Sequence, residues 1–140
     1  MRSSDLPPAL LAAYRETLYR VLGEPPFVLQ IGQASQALAA LYRQHGQRSA
    51  AFITACNPGS QLFAEAENIA RQQQLENTLA QQGRPWLPGI GEDPYQQWPG
   101  EKSCLVLGIT PESALALGRQ FGQNAIVYCG ADAVPELRFC

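Results

Sequence analysis

Four short stretches carry the residue types that could do chemistry: Asn57-Pro58-Gly59-Ser60, Glu67-Asn68 with Arg71, Trp98 with Glu101, and Gln123-Asn124. Asn57 to Ser60 leads from an apolar run into a helical pattern. Free backbone N–H groups and the positive end of a helix dipole there could hold a phosphate or carboxylate. The simpler alternative is an Asn-Pro turn followed by a Ser cap. Glu67 and Arg71 stand at i, i+4. Such a pair is either a surface ion pair worth roughly 0.3–0.5 kcal/mol or, if covered, a device that orients a ligand. Glu67 and Glu101 are the candidate acid and base, provided the fold brings them within several ångströms. Glu101 could instead anchor its loop by accepting backbone N–H bonds or meeting Arg71. Trp98 offers a flat wall to a ring-bearing ligand, or a loop anchor. The amides of Gln123 and Asn124 suit a ligand amide or base edge, and suit loop carbonyls equally. Asn57, Ser60, Asn68, Arg71, Trp98, Gln123 and Asn124 are therefore the candidate ligand-binding residues, with Glu67 and Glu101 catalytic.

Other chemistries have less support. The four cysteines and the lone His45 lack metal-ligand or C-x-x-C spacing, so no metal or cofactor is expected. Cys104 and Cys129 lie in apolar runs and read as core filler. Cys56 would be a reactive thiol only if a helix N-terminus lowered its pKa. Gly89-x-Gly91 lacks the Lys and the strand–turn–helix context of a phosphate loop. The net charge of −2, with no basic stripe, argues against nucleic acid. No stretch approaches the ~18 apolar residues of a membrane span, and the first residues do not resemble a signal peptide. A cytosolic location is expected.

The elements that must position these residues follow from pattern and punctuation. The 140 residues, 46% apolar, suit one domain, 1–140. Residues 5–16 predict a helix capped by Asp5 with Pro7 and Pro8 in its first turn. Alternation over residues 17–22, the turn Gly23-Glu24-Pro25-Pro26 and the run Phe27–Ile31 predict a hairpin. Ser35 caps a helix that stops at Gly46, completing a 17–49 unit. Residues 50–55, 86–90, 103–108 and 125–129 predict strands, and 136–139 an edge strand. Thr110 and Pro111 open a helix that ends at Gly122. The remaining helix is expected from Ser60 to about Gln82. Leu62, Ala66, Ile69 and Ala70 occupy one face of it, and Leu75 and Leu79 continue the Glu67–Arg71 row almost opposite. Both faces are expected to be covered, the second by the segment that holds Trp86 and Trp98.

From residue 50 the order strand, helix, strand, strand, helix, strand is that of a ferredoxin-like split βαβ sheet. The expected class is α+β: a two-layer sandwich on a mixed, mostly antiparallel sheet, with an added N-terminal hairpin and helix. Chain direction then makes a prediction. Asn57–Ser60, the Trp98–Glu101 loop and Gln123-Asn124 should emerge at one rim of the sheet, beside Glu67, Asn68 and Arg71.

These same residues carry a resemblance. Phe52-Ile53-Thr54-Ala55-Cys56-Asn57-Pro58-Gly59-Ser60, Glu67-Asn68-Ile69-Ala70-Arg71, Trp98-Pro99 with Glu101 and Ser103, and Phe121-Gly122-Gln123-Asn124-Ala125 resemble the bacterial family named domain of unknown function 3293. The likeness runs over about residues 14–138. It implies a compact domain of bacterial origin and no particular activity. Where the family pattern has an aromatic, usually Trp, this chain has Cys56, which implies a wider or wetter pocket.

The leading functional expectation is a site for an anionic or amide-bearing metabolite. Asn57, Ser60 and helix N–H groups would hold it, Arg71, Gln123 and Asn124 would select it, and Trp98 would wall it. The alternative is a non-catalytic interaction module that pairs a partner or a second copy through the edge strand 136–139. In that case the motif residues only pin the 91–101 loop.

Overall fold

A computed structural model describes residues 2–140. A short 3-10 turn, Ser3–Asp5, precedes α1 (Pro8–Glu16), and the hairpin β1 (Leu18–Val21) and β2 (Phe27–Leu29) follows. Asp5 closes its own turn by accepting from the Arg2 N–H at 2.8 Å, and Pro7 rather than Asp5 stands at the N-cap of α1. Next come α2 (Gln36–His45), β3 (Ala50–Thr54), α3 (Glu65–Gln81), β4 (Trp86–Glu92) and β5 (Glu101–Leu107). The chain ends with α4 (Pro111–Gln120), β6 (Ala125–Cys129) and β7 (Pro135–Phe139). The expected caps form: Ser35 Oγ accepts from Leu38 N at 3.0 Å, Gly46 ends α2 at φ 63°, and Thr110 Oγ1 accepts from Ser113 N at 3.2 Å. No helix among the described residues is long and apolar enough to cross a membrane.

One seven-stranded sheet runs in the order β2-β1-β4-β5-β3-β6-β7. Every pairing in it is antiparallel, where a mixed sheet was expected. A second difference is the number of layers. Ala51, Ile53, Cys104, Val106, Ile126 and Tyr128 face α3 and α4, packing on Leu75, Leu79 and Leu117. The alternate residues Phe52, Leu105, Leu107, Val127 and Cys129 face α2, packing on Leu38 and Tyr42. The sheet thus carries helices on both sides, and the expected two layers become three. Residues Ala50 to Ile53 of the central strand are all buried, 0–5% exposed, so neither face of β3 could be left to solvent.

The α3 expectation is corrected in two ways. Ser60 does not start the helix: residues 58–60 form a 3-10 turn, 61–64 run without helix, and Ala64 is the N-cap. Nor are both faces covered: the Leu75–Leu79 face is, and the Leu62–Ala66–Ile69–Ala70 face is not. Gln72, Leu75 and Leu79 are buried, whereas Ala66, Ile69 and Ala70 are exposed. Trp86 joins the core beneath α3, and Trp98 goes to the opposite side of the sheet.

Candidate functional site

The three loops converge as chain direction requires. Asn57 takes the left-handed conformation, φ 48°, which an Asn side chain tolerates better than most. Its backbone N–H donates to Asn68 Oδ1 at 2.9 Å, and its Oδ1 accepts from Asn68 Nδ2 and Phe63 N, each at 2.9 Å. Asn57 Nδ2 then donates to Glu101 Oε2 at 2.7 Å. Arg71 donates through Nε to Ala55 O at 2.9 Å and through Nη2 to Phe121 O at 2.8 Å, stitching the β3 exit to the α4 exit. Gln123 Nε2 donates to Cys56 O and Phe121 O at 3.1 and 3.2 Å. Gly59 N–H donates to Gly122 O at 2.8 Å. Gly122 has φ 69°, and a Cβ there would lie 2.9 Å from Pro58 Cβ, so these two turns can meet only with glycine at 122.

Behind this rim, on the α2 side of the sheet, lies a cavity of about 350 Å³. Its floor follows from strand alternation. Glu101 pairs with Gly91, Ser103 with Gly89 and Thr54, and Phe52 with Val127, so these side chains share one face. Gly89 is required because its Cβ would lie 2.7 Å from Phe52 Cε2. The Phe52 ring meets Tyr19 edge-on at 5.3 Å. Leu10, Ala13 and Tyr14 of α1 form one wall and Trp98 with Pro99 another. Tyr14 OH and Ser60 Oγ share a hydrogen bond of 2.6 Å, and Asn124 Nδ2 donates to the same Oγ at 3.1 Å.

Glu101 is the one charged side chain lining this cavity among the described residues. Burial pushes its carboxyl above the usual range, and the Asn57 bond pulls it part of the way back. Thr54 and Ser103, on the same face, are satisfied by Lys102 O at 2.6 Å and Glu101 O at 3.0 Å. A second cavity, about 450 Å³, lies beyond the Asn57–Glu101 bond and is lined by Cys56, Phe63, Asn68, Ile69 and Gln72. Asn57 and Glu101 line both spaces, so their bond stands between them. Cys56 lines only the second. Its thiol is pushed up, chiefly by burial, which is opposite to the activation a helix N-terminus would give.

Asn57, Ser60, Trp98, Glu101 and Gln123 thus line the first cavity. Asn124 reaches it through Ser60, whereas Asn68 and Arg71 stand behind the rim and fasten it. Glu67 is exposed on α3 and lines neither cavity, so it is not brought with Glu101 to a common space. The N–H groups expected to bind an anion begin at Glu65, with Glu65 and Glu67 both in the first turn of α3, a poor setting for negative charge. Tyr14, Phe52 and Ser103 line the cavity but were not among the sequence candidates. Alternation would have found the last two, since Phe52 and Thr54 share a face with their cross-strand partners.

No curated protein and no solved structure matches the chain. A family model does, over residues 53–126, a span that contains the rim from Asn57 to Asn124 but not the α1 wall. The chain belongs to the family described as protein of unknown function (DUF3293).

Proposed function

We propose that this protein binds a small ligand with an apolar body and one polar end in the cavity between α1 and the sheet rim. The observation that carries this is the pairing of an apolar floor, Phe52, Val127 and Leu137, with a half-buried carboxyl at one end. Pockets of about 300–1,000 Å³ with few polar groups are the usual form of small-molecule sites. The amide-bearing part of the sequence expectation carries over, because Glu101, Gln123 and Ser60 can meet an amide. The anionic part does not, since no cationic side chain lines the cavity among the described residues. With Glu67 outside and no second carboxylate in the cavity, recognition is better supported than acid–base turnover.

The pinning reading accounts for Arg71, Asn68 and Gln123, each of which binds protein groups at the rim. Arg71 and Asn68 build the mouth of the site rather than touch its occupant, whereas Gln123 also lines the cavity. The docking-edge reading has less support: β7 carries Glu136 and Arg138, paired at 3.0 Å, and charges on an edge strand discourage strand addition. For the fold, we read β3–α3–β4 and β5–α4–β6 as two interlocked split βαβ units. The order β4-β5-β3-β6 with antiparallel pairing supports that reading.

The test uses 2-phenylethanol as a neutral probe, titrated while backbone amide NMR signals are followed. Saturable shifts clustered at Phe52, Val127 and Leu137, absent in Ala125→Phe, are expected. Ala125 lines the cavity, and a ring there fills it. Shifts that map elsewhere, or persist in a folded Ala125→Phe variant, overturn the assignment.

A further inference from the structure

We infer that the polar end of the ligand is a protonated amine and that Glu101 selects it, an inference that rests on the cavity reading above. Three observations converge on it. Glu101 is the sole charged group lining the cavity, and the one basic residue nearby in sequence, Lys102, lines the second cavity instead. Its orientation is set before any ligand arrives. Asn57 Nδ2 holds Oε2 at 2.7 Å, while Phe63 N and Asn68 Nδ2 hold the other end of the Asn57 amide. The remaining oxygen, Oε1, has no donor among the described residues, and it is not a buried orphan. It therefore opens onto free space, and the space Glu101 lines is the cavities themselves.

A fixed carboxylate oxygen facing an apolar hollow discriminates by charge. An ammonium group donates a charge-assisted bond and restores the neutrality that burial disfavours losing. An alcohol supplies the bond without the charge. A carboxylate is repelled by the Glu101 charge, and can be bonded only if one of the two carboxyls is protonated first. The same logic narrows the class further. The carboxylate of a free α-amino acid would find no cationic partner in the lining, so the site suits a monoamine with an apolar or aromatic body. Phe52, Trp98, Val127 and Leu137 receive that body. At about 350 Å³ the space is near the small end of ligand sites, the scale of an arylalkylamine.

Calorimetric titration of the full chain with 2-phenylethylamine, 2-phenylethanol, 3-phenylpropionate and the amino acid phenylalanine tests this, on the parent, Glu101→Gln and Ala125→Phe. The amine is expected to bind about tenfold or more tighter than the alcohol, the scale of one charge-assisted hydrogen bond. Glu101→Gln should erase that preference, its fold being certified by an unchanged far-ultraviolet circular dichroism spectrum. Equal or tighter binding of the alcohol, the propionate or the amino acid by the parent, lost in Ala125→Phe, overturns the amine assignment and leaves the cavity standing. An amine preference that survives in Glu101→Gln removes Glu101 from the role. Amine binding unchanged in Ala125→Phe overturns the cavity itself, and this inference with it.

Discussion

Glu101 is costly where it stands, and the cost depends on pH. Burial raises its folded carboxyl above the 4.5 of a free side chain. Below that value it is neutral in both states and contributes no penalty. As pH rises, the unfolded chain ionises first, so stability is lost through the window up to the raised folded value and stays lower above it. Tyr14, Tyr19 and Cys56, which lie near enough to feel this charge, are pushed upward themselves and remain neutral throughout that window. Glu101→Gln keeps an acceptor for Asn57 and abolishes the titration. Its melting temperature relative to the parent should therefore rise as the pH climbs above about 4.5 and level off once the folded carboxyl has ionised. Melts at several pH values check this, and a pH-independent difference would sink it. Residue type alone could not single out this carboxyl. Glu67 and Glu101 look equivalent in the sequence, and it is the exposure of the first and the partial burial of the second that separate them. Asn57 was legible as special because it follows a strand, and Arg71 because it stands at i, i+4 from Glu67 on a helix. That Arg71 serves backbone groups rather than a ligand depends on where Ala55 O and Phe121 O end up, which local pattern does not encode.

At the scale of elements, α1 is the weakly held wall of the site. None of its residues is buried. It is tied down by the Tyr14–Ser60 bond at 2.6 Å and by the Tyr19 hydroxyl, which donates to Tyr14 O. Tyr14→Phe removes one of these ties, worth roughly 1 kcal/mol. Amide exchange across Pro8–Glu16 should then quicken about fivefold, with the sheet strands unchanged. Exchange in α1 that already matches the slowest strands, or does not respond, would show that the helix is held by something else. Leu10 and Tyr14 stand at i, i+4, and an apolar row looks the same in sequence over a filled core and over a hollow. The start of α3 was illegible for a related reason. Ser60 is an ordinary cap type, yet Asn57, Gly59 and Ser60 all adopt positive φ, and the chain needs four further residues to turn into the helix. The rim, by contrast, was legible: once the strands were placed, antiparallel direction alone brought residues 57–60, 98–101 and 123–124 together.

For the whole molecule, the decisive feature is that one sheet serves two cores. Leu79 belongs to the core under α3 and α4, Leu38 to the one under α2, and each is fully buried. The second core was harder to foresee, since it is completed by Tyr19, Val21 and Leu29 from the hairpin, far from the motifs in sequence. Between the cores lies β3, whose consecutive residues Ala51 and Phe52 point to opposite sides. Neither core can loosen without exposing one face of that strand, so the two should melt together. Leu38→Ala and Leu79→Ala should each cost about 2–5 kcal/mol, the range for deleting a buried leucine side chain. In urea each variant should show one transition at a lower midpoint and with an unchanged slope, coincident by far-ultraviolet circular dichroism and by tryptophan fluorescence. The fluorescence reports both sides, because Trp86 packs on the first core and Trp98 lines the cavity on the other. Two separated transitions in either variant would mean that the α2 side, with the cavity, unfolds as its own unit. The site would then rest on a half of the molecule that opens independently. A single transition means that ligand held against Phe52 and Glu101 stabilises the α3–α4 side as much as its own, through the shared strand.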